Sequence, residues 1–488
     1  MALRFIDPRT EATTGSTELG RAVLAEAVRT QNAALASMIQ SQSEWRKKYQ
    51  GLFAQVAKAE FANKHSGLEV ATAGLTEFER RVVTESGELL IDVVKAGWRN
   101  GKDLVATVVI TGSGVLEVPK VDDQELEGLV ANHSAEAGII PAIKSVRGIQ
   151  QSQIKQDLLI ALAGGAEYSP TRLWLDWGGD VAIVARARVE LWRELISRAR
   201  SGAGTLLVPV LQSKLAGLDA GSLSDEQLAS LAGLDLVEDA GAIAGWLAAL
   251  AKTDSRRIVL GSYAYAPGVK HIEVQAVQHC VARTMTEALP KTRVVLSWLA
   301  TPTDSHTVPA EFAEDVKARY NQRSYLTRLR DEIASPRSHK PELFSSAEGV
   351  EYALIDPTSS RQGSSYALAK RLQRWLAYQQ VGTGRQVAYI VAPPAKTDSV
   401  LSHRILRATY RGGPGFGLHP YETDQAVKIS ALLLLSRLHS PEKYSTAELS
   451  AMYCQLAVHG GLWRSLYAPS ELWLAATVWG FWGYFSKH

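Results

Sequence analysis

The sequence predicts a mixed α+β / α/β fold that is predominantly helical, and three observations predict it. Apolar residues recur at three-four spacing through much of the first hundred residues, which marks amphipathic helix. From residue 256 onward, apolar runs of strand length alternate with longer helical stretches, the rhythm of βα units on a parallel or mixed sheet. After Pro420 the pattern is helical to the end. The expected parts are a helical N-terminal arm or bundle (1–100), a mixed α/β region (101–252), a βα-alternating domain (253–440) and a helical aromatic tail (441–488).

Residues 16–65 read as one or two long helices. Ser16 or Thr17 can cap the start, and Glu18 favours the first turn. The stripe runs Leu24, Val28, Gln31, Leu35, Met38, Gln42, Trp45, Tyr49, Leu52, Val56, Ala59, heptad-like with polar interruptions at Gln31 and Gln42. This suits a bundle helix or an arm lying along a partner. Thr76 and Glu79 have capping-box spacing, and a second helix is expected from there to about Trp98. The run LVATVVITGSGVLEV (104–118) predicts two strands around a Gly-Ser-Gly turn, and helices follow at about 123–133 and 151–163. Residues 172–189 predict a hairpin about Gly178-Gly179, 190–200 a helix, 204–211 a buried strand and 213–252 mostly helix. Strands are then expected at 257–266, 292–300, 350–356 and 385–392.

Composition excludes several classes. Hydrophobic residues make up 46% and charged residues 21%, so the chain folds. A net charge of +3 excludes a bulk basic field, although a local patch remains compatible with it. Two cysteines, Cys280 and Cys454, build neither a disulfide framework nor a cysteine-rich metal site, and they read as small buried hydrophobes. The N-terminus MALRFIDPRTEATTGS carries no secretory signal pattern, so synthesis in the cytoplasm, or residence in a virion, is expected. The apolar stretch within 470–486 is shorter than the roughly 20 residues a bilayer span requires. The histidines show no HExxH or other metal spacing, and no metal site is expected.

Open parallel sheets bind ligands beyond the carboxyl ends of their strands. The loops there read APGVKH, TPTDSH, DPTSSRQGSSY and APPAKTDS, rich in Ser, Thr, Asp and Pro. Ser360 follows VEYALID, Tyr366 and Lys370 sit in SSYALAK one helical turn apart, and RQVAYIVA leads into Pro393, Pro394 and Thr397. Residues 350–461 thereby resemble the C-terminal half of the short-chain dehydrogenases/reductases. The resemblance implies NAD(P) as cofactor, Tyr366 as general acid with Lys370 lowering its pKa, and Ser360 holding the carbonyl. Two features depart from the family. Ser360 lies six residues before Tyr366 rather than about a dozen, and no glycine-rich dinucleotide turn is present.

Arginines cluster locally at Arg323, Arg328 and Arg330, with Tyr320 and Tyr325 interleaved, and at Arg404, Arg407 and Arg411 beside Tyr410. Arginine with aromatics is the composition that grips phosphates and stacks bases. Trp45 in the N-terminal helix and Trp463, Trp473, Trp479 and Trp482 in the tail are the kind of residue enriched at interfaces. RVELWRELISRARSGAGTLLVPVLQ (188–212) also resembles a strand–helix–strand segment of some phage tail proteins. The leading expectation is a non-enzymatic, self-assembling structural protein such as a viral capsid or phage particle subunit, with no cofactor and a homo-oligomeric or larger assembly. A short-chain-reductase-type oxidoreductase and an RNA-binding assembly protein are the alternatives.

Overall fold

The run DLLIAL (β5, Asp157–Leu162) organises the molecule. All six of its residues are buried. In the computed structural model it lies at the centre of a seven-stranded sheet. The structure describes residues 1–101, 103–116, 121–326, 328–329, 341–359, 362–442, 444–445 and 448–485.

The other strands of this sheet are β4 (Val105–Thr111), β6 (Asp180–Val184), β7 (Thr205–Leu211), β8 (Arg257–Ser262), β9 (Val294–Ala300) and β13 (Val387–Val391). Across it they are ordered β13-β9-β8-β5-β6-β7-β4. Six run parallel, and β4 pairs antiparallel with β7, from Val105 opposite Leu211 to Thr111 opposite Thr205. Counted by place among the parallel strands, the order is 6-5-4-1-2-3. That is the doubly wound dinucleotide-type order, with its switch point between β5 and β8. The sheet takes strands from both sides of residues 252–253. Helices cover both faces, so the strands read as unbroken apolar runs. Leu158, Ile160 and Leu162 face one core and Leu159 and Ala161 the other.

This arrangement corrects three sequence expectations. Residues 151–163 form one short turn of helix (Gln151–Ile154) followed by β5, because a strand buried on both faces has no period to distinguish it from helix. Residues 172–189 do not form a hairpin. A helix (Thr171–Asp176) leads through a turn at Gly178 (φ +77) into β6, parallel to β5. The run VEYALID does not join the parallel sheet. It forms β12 (Glu351–Ile355), the central strand of a separate antiparallel sheet with β10 (His306–Pro309) and β11 (Glu342–Ser345). Of the two strands expected at 104–118, β4 is one. Gly112 and Gly114 then bond back to the carbonyls of Gly204 and Gly202, and 117–118 lie outside the described residues.

The N-terminal segment is helical but packed on the body, as a bundle. Three helices (Ser16–Val28, Ala33–Ser41, Trp45–Ala59) replace the one or two expected over 16–65, and a fourth (Ser66–Glu79) follows. The polar interruptions fall where the chain breaks: Gln31 precedes Asn32, whose side chain caps the second helix at Leu35 N–H, and Gln42 accepts from Glu44 N–H. Leu24, Val28, Leu35, Trp45, Tyr49, Leu52 and Val56 are buried. β1 (Leu3–Ile6), β2 (Thr13–Thr14) and β3 (Val82–Thr84) form a small sheet beside them. The helix expected from Thr76 to Trp98 is divided by β3, and the next helix spans Leu90–Asn100. The bundle packs on the long helix Ser364–Gly382, where Gly74 lies against Trp375 so closely that a Cβ would come within 2.2 Å of the ring.

The C-terminal helix, Pro469–Phe485, crosses the Arg404–Gly412 helix at small residues. A Cβ on Gly480 would lie 1.8 Å from Ala408 O. Trp463 and Trp473 are buried, whereas Leu474, Val478, Trp479 and Trp482 are exposed, Trp479 with one edge against Phe416. Among the described residues, no helix is long and apolar enough to cross a membrane. Both cysteines are buried and free.

Candidate functional site

The carboxyl ends of β8 and β9 meet the N-terminus of the Ser364–Gly382 helix. Gly363, at φ +78, turns the chain into that helix, a conformation that favours glycine. Tyr366 is in the first turn and Lys370 one turn on, so both lie on one face. Tyr366 stands beside Thr301, the first residue after β9. Lys370 Nζ donates to Leu299 O (3.0 Å) and Gln373 Oε1 (3.3 Å). Gln373 donates to Gln275 (2.8 Å), Gln278 also donates to Gln275 (3.3 Å), and Gln278 accepts from Ala264 N–H (3.1 Å). A buried polar chain thus joins the ends of β8 and β9 to two helices.

Electrostatics follow from burial. Desolvation pushes the Tyr366 phenol well above its ordinary range, with the neighbouring Thr301 hydroxyl opposing. Desolvation also lowers the Lys370 ammonium to about 8, with Asp304 opposing. The Lys370 Nζ stands 5.8 Å from the centre of the Tyr366 ring, and its two hydrogen bonds run to Leu299 and Gln373. His271 stacks on Tyr366 (5.1 Å between ring centres, 21° apart), and Tyr265 closes against both. His271 Nδ1 accepts from Ala266 N–H (3.2 Å), which puts its proton on Nε2, and Nε2 has no partner among the described residues. Burial, reinforced by Lys370, lowers His271 to about 3, so it is neutral. These rings line a cavity of about 300 Å³, whose other wall carries Ser16, Thr17, Arg46, Ser364 and Ser365.

Of the expected catalytic residues, Tyr366 and Lys370 come together and Ser360 lies outside the described residues. The strand that feeds the Tyr366 helix within the parallel sheet is β9, and residues 301–363 form the excursion that carries β10–β12. The hydroxyl beside Tyr366 is therefore that of Thr301. The Thr/Asp-rich loop TPTDSH held this signal, but the intervening excursion hid its pairing with Tyr366.

The switch-point crevice is where a dinucleotide would bind in this strand order. Here it is filled. A Cβ on Gly164 would meet Ile183 Cγ2 at 2.6 Å, and one on Gly165 would meet Leu191 Cδ2 at 2.6 Å. The Tyr168 hydroxyl donates to Pro393 O, bridging the loops after β5 and β13. The helix that follows is only six residues long and begins at Thr171, which is fully buried and hydrogen-bonded to Ser169 (2.7 Å). Arg186 and Arg188, exposed beyond β6, have the charge an adenosine 2′-phosphate attracts. The phosphate-cradling turn is nonetheless lacking, and the residues present do not fit NAD(P).

The arginines occupy two places. Arg404, Arg407 and Arg411 are exposed on the Arg404–Gly412 helix, with Arg404 over the Phe481 ring at 5.7 Å. Arg323 donates to Tyr467 Oη (3.0 Å) and stacks on its ring at 5.6 Å. Arg328 is half-buried, and Arg330 lies outside the described residues. Among the described residues there is no group of three or more His, Cys, Asp or Glu placed to hold a metal ion. Comparison with protein-family models, with curated proteins and with solved structures finds no match to this chain.

Proposed function

We propose that this chain is a non-enzymatic subunit built on a doubly wound scaffold of the short-chain reductase type. In it Tyr366 walls a binding cavity, with Thr301 and Lys370 behind it, and the three do not serve a nicotinamide cofactor. The observation that carries the reading is the Tyr168–Pro393 hydrogen bond, which draws the loop after β5 across to the loop after β13 and so, in this reading, closes the switch-point crevice. Two further facts support it. A general acid works best with a pKa near the operating pH, and burial moves the Tyr366 phenol away from it. The Lys370 ammonium donates to Leu299 O and Gln373. The test is titration of the protein with NADPH, following energy transfer from tryptophan to the nicotinamide. No saturable transfer is expected. Saturable binding with turnover of a carbonyl substrate overturns the reading.

A specific observation favours self-assembly as a second property. Leu474, Val478 and Trp482 recur every four residues on the C-terminal helix with Trp479 beside them, all more than half exposed. Exposed apolar stripes of this kind mark contact surfaces. Light scattering should give a native mass above the monomer that falls in a Trp479→Ser/Trp482→Ser variant, with absorbance at 260 nm reporting any bound nucleic acid. A monodisperse monomer at high concentration counts against assembly.

A further inference from the structure

The cavity beside Tyr366 has an uneven chemistry. Its inner wall is aromatic: Tyr49, Tyr265, His271 and Tyr366. Its rim is made of hydroxyls and one cation. Ser16, Thr17, Ser364 and Ser365 line it, and no protein partner engages their hydroxyls among the described residues. Arg46 is its only charged lining residue among those described; it is exposed and has no carboxylate within ion-pair distance. This sets Arg46 apart in a chain where many arginines are paired, Arg21 with Glu18 and Arg193 with Glu226 among them.

The backbone adds to the same bias. The Ser364–Gly382 helix is 19 residues long, and no side chain caps its start. Its first-turn N–H groups and roughly half a unit of positive charge face the rim. The Ser16–Val28 helix contributes hydroxyls more than dipole, because Glu18 already lies at its N-terminus, near Gly15. The independent sign of a ligand is His271. It is only 2% exposed, it lines the cavity, and its Nε2–H is a buried donor with nothing to donate to. An unpaired buried donor is costly, and this one belongs to a residue on the cavity wall, where a bound acceptor could pair with it.

We infer that this cavity binds a small molecule with a flat, unsaturated body and an oxyanion, either phosphate or carboxylate. The oxyanion sits between Arg46 and the N-terminus of the Ser364–Gly382 helix. The body stacks among Tyr265, His271 and Tyr366 and presents an acceptor to His271 Nε2–H. The inference rests on the non-enzymatic binding reading above and names the ligand class.

The test is isothermal titration of the full chain with phenyl phosphate, with inorganic phosphate as the smaller probe. The native protein should bind phenyl phosphate saturably and more tightly than inorganic phosphate. Arg46→Ala should weaken binding about tenfold or more, the loss expected for a charged hydrogen bond, and Arg46→Lys should recover part of it. Arg46 is exposed, so these variants keep the native melting temperature. His271→Phe keeps the stacked ring, removes the donor and should weaken binding as well. Absence of saturable binding to the native protein overturns the inference, as does native-like binding by both Arg46→Ala and His271→Phe. The NADPH titration separates the two readings. Phenyl phosphate binding together with NADPH binding sustains the oxyanion seat and sinks the closed crevice, whereas failure to bind either sinks the seat alone.

Discussion

Glu60 lies immediately after the Trp45–Ala59 helix, 2% exposed, and its replacement by alanine is the sharpest test of how the N-terminal bundle is held. Its Oε1 accepts from Arg371 Nη1 (3.0 Å) and Trp375 Nε1 (2.8 Å), and its Oε2 stands 3.5 Å from Arg374 Nη2. Asp304 faces the same guanidiniums, at 3.1 Å from Arg371 and 3.4 Å from Arg374. The four charges sum to zero, and all are buried. Glu60→Ala leaves two guanidiniums against one carboxylate, an unpaired buried charge worth about 3–5 kcal/mol. Glu60→Gln keeps an acceptor but loses the charge, for about 2 kcal/mol. Urea unfolding followed by tryptophan fluorescence should show the midpoint falling in that order with the slope unchanged. A Glu60→Leu/Arg371→Met pair, which removes one charge of each sign, should lose less than the two single changes added together. A loss below about 1 kcal/mol for Glu60→Ala would refute the claim that this cluster locks the bundle to the sheet.

Other consequences can be measured directly. Asp304 is held at about 2, burial working against Arg371, Arg374 and His306. A carboxylate depressed from 3.8 contributes stability that is whole above that pH and disappears as pH falls through about 2; Asp304→Asn should flatten that part of an acid-unfolding curve. Gly74→Ala forces a methyl into the Trp375 ring and should cost about 1–3 kcal/mol, read as a lowered melting temperature. Gly480→Ala pushes the C-terminal helix off Ala408 O and should make that helix the first site of limited proteolysis.

The sequence was legible where one face of an element meets water. The three-four stripe marked the buried side of the N-terminal helices, and its glutamines fell at their breaks. It was illegible where both faces are buried. DLLIAL has no alternation and no helical period, so the central strand read as helix. With β5 misassigned, the first half of the doubly wound order disappeared and its missing glycines seemed a missing half-domain. At the site, the four-residue spacing of Tyr366 and Lys370 survived because it is local. Thr301 is 65 positions from Tyr366 in sequence, and only the fold of β10–β12 out of the sheet brings it back. His271, Arg46 and the serines carried no motif at all, since helices and loops far apart in the chain converge on them.

The Ser364–Gly382 helix explains why these features cannot vary independently. It is buried on nearly every side, so each polar group on it needs a partner. Lys370 and Gln373 find theirs toward β9 and the glutamines, while Arg371, Arg374 and Trp375 find theirs toward Glu60 and Asp304. Asp304 belongs to both sets. It pairs with the arginines, and its charge also raises the affinity of Lys370 for its proton. Removing that charge with Asp304→Asn therefore has to lower the Lys370 pKa further below about 8 while it weakens the bundle contact. The N-terminal layer and the cavity wall are two faces of one electrostatic cluster, and a change made at either reaches the other through a single turn of helix.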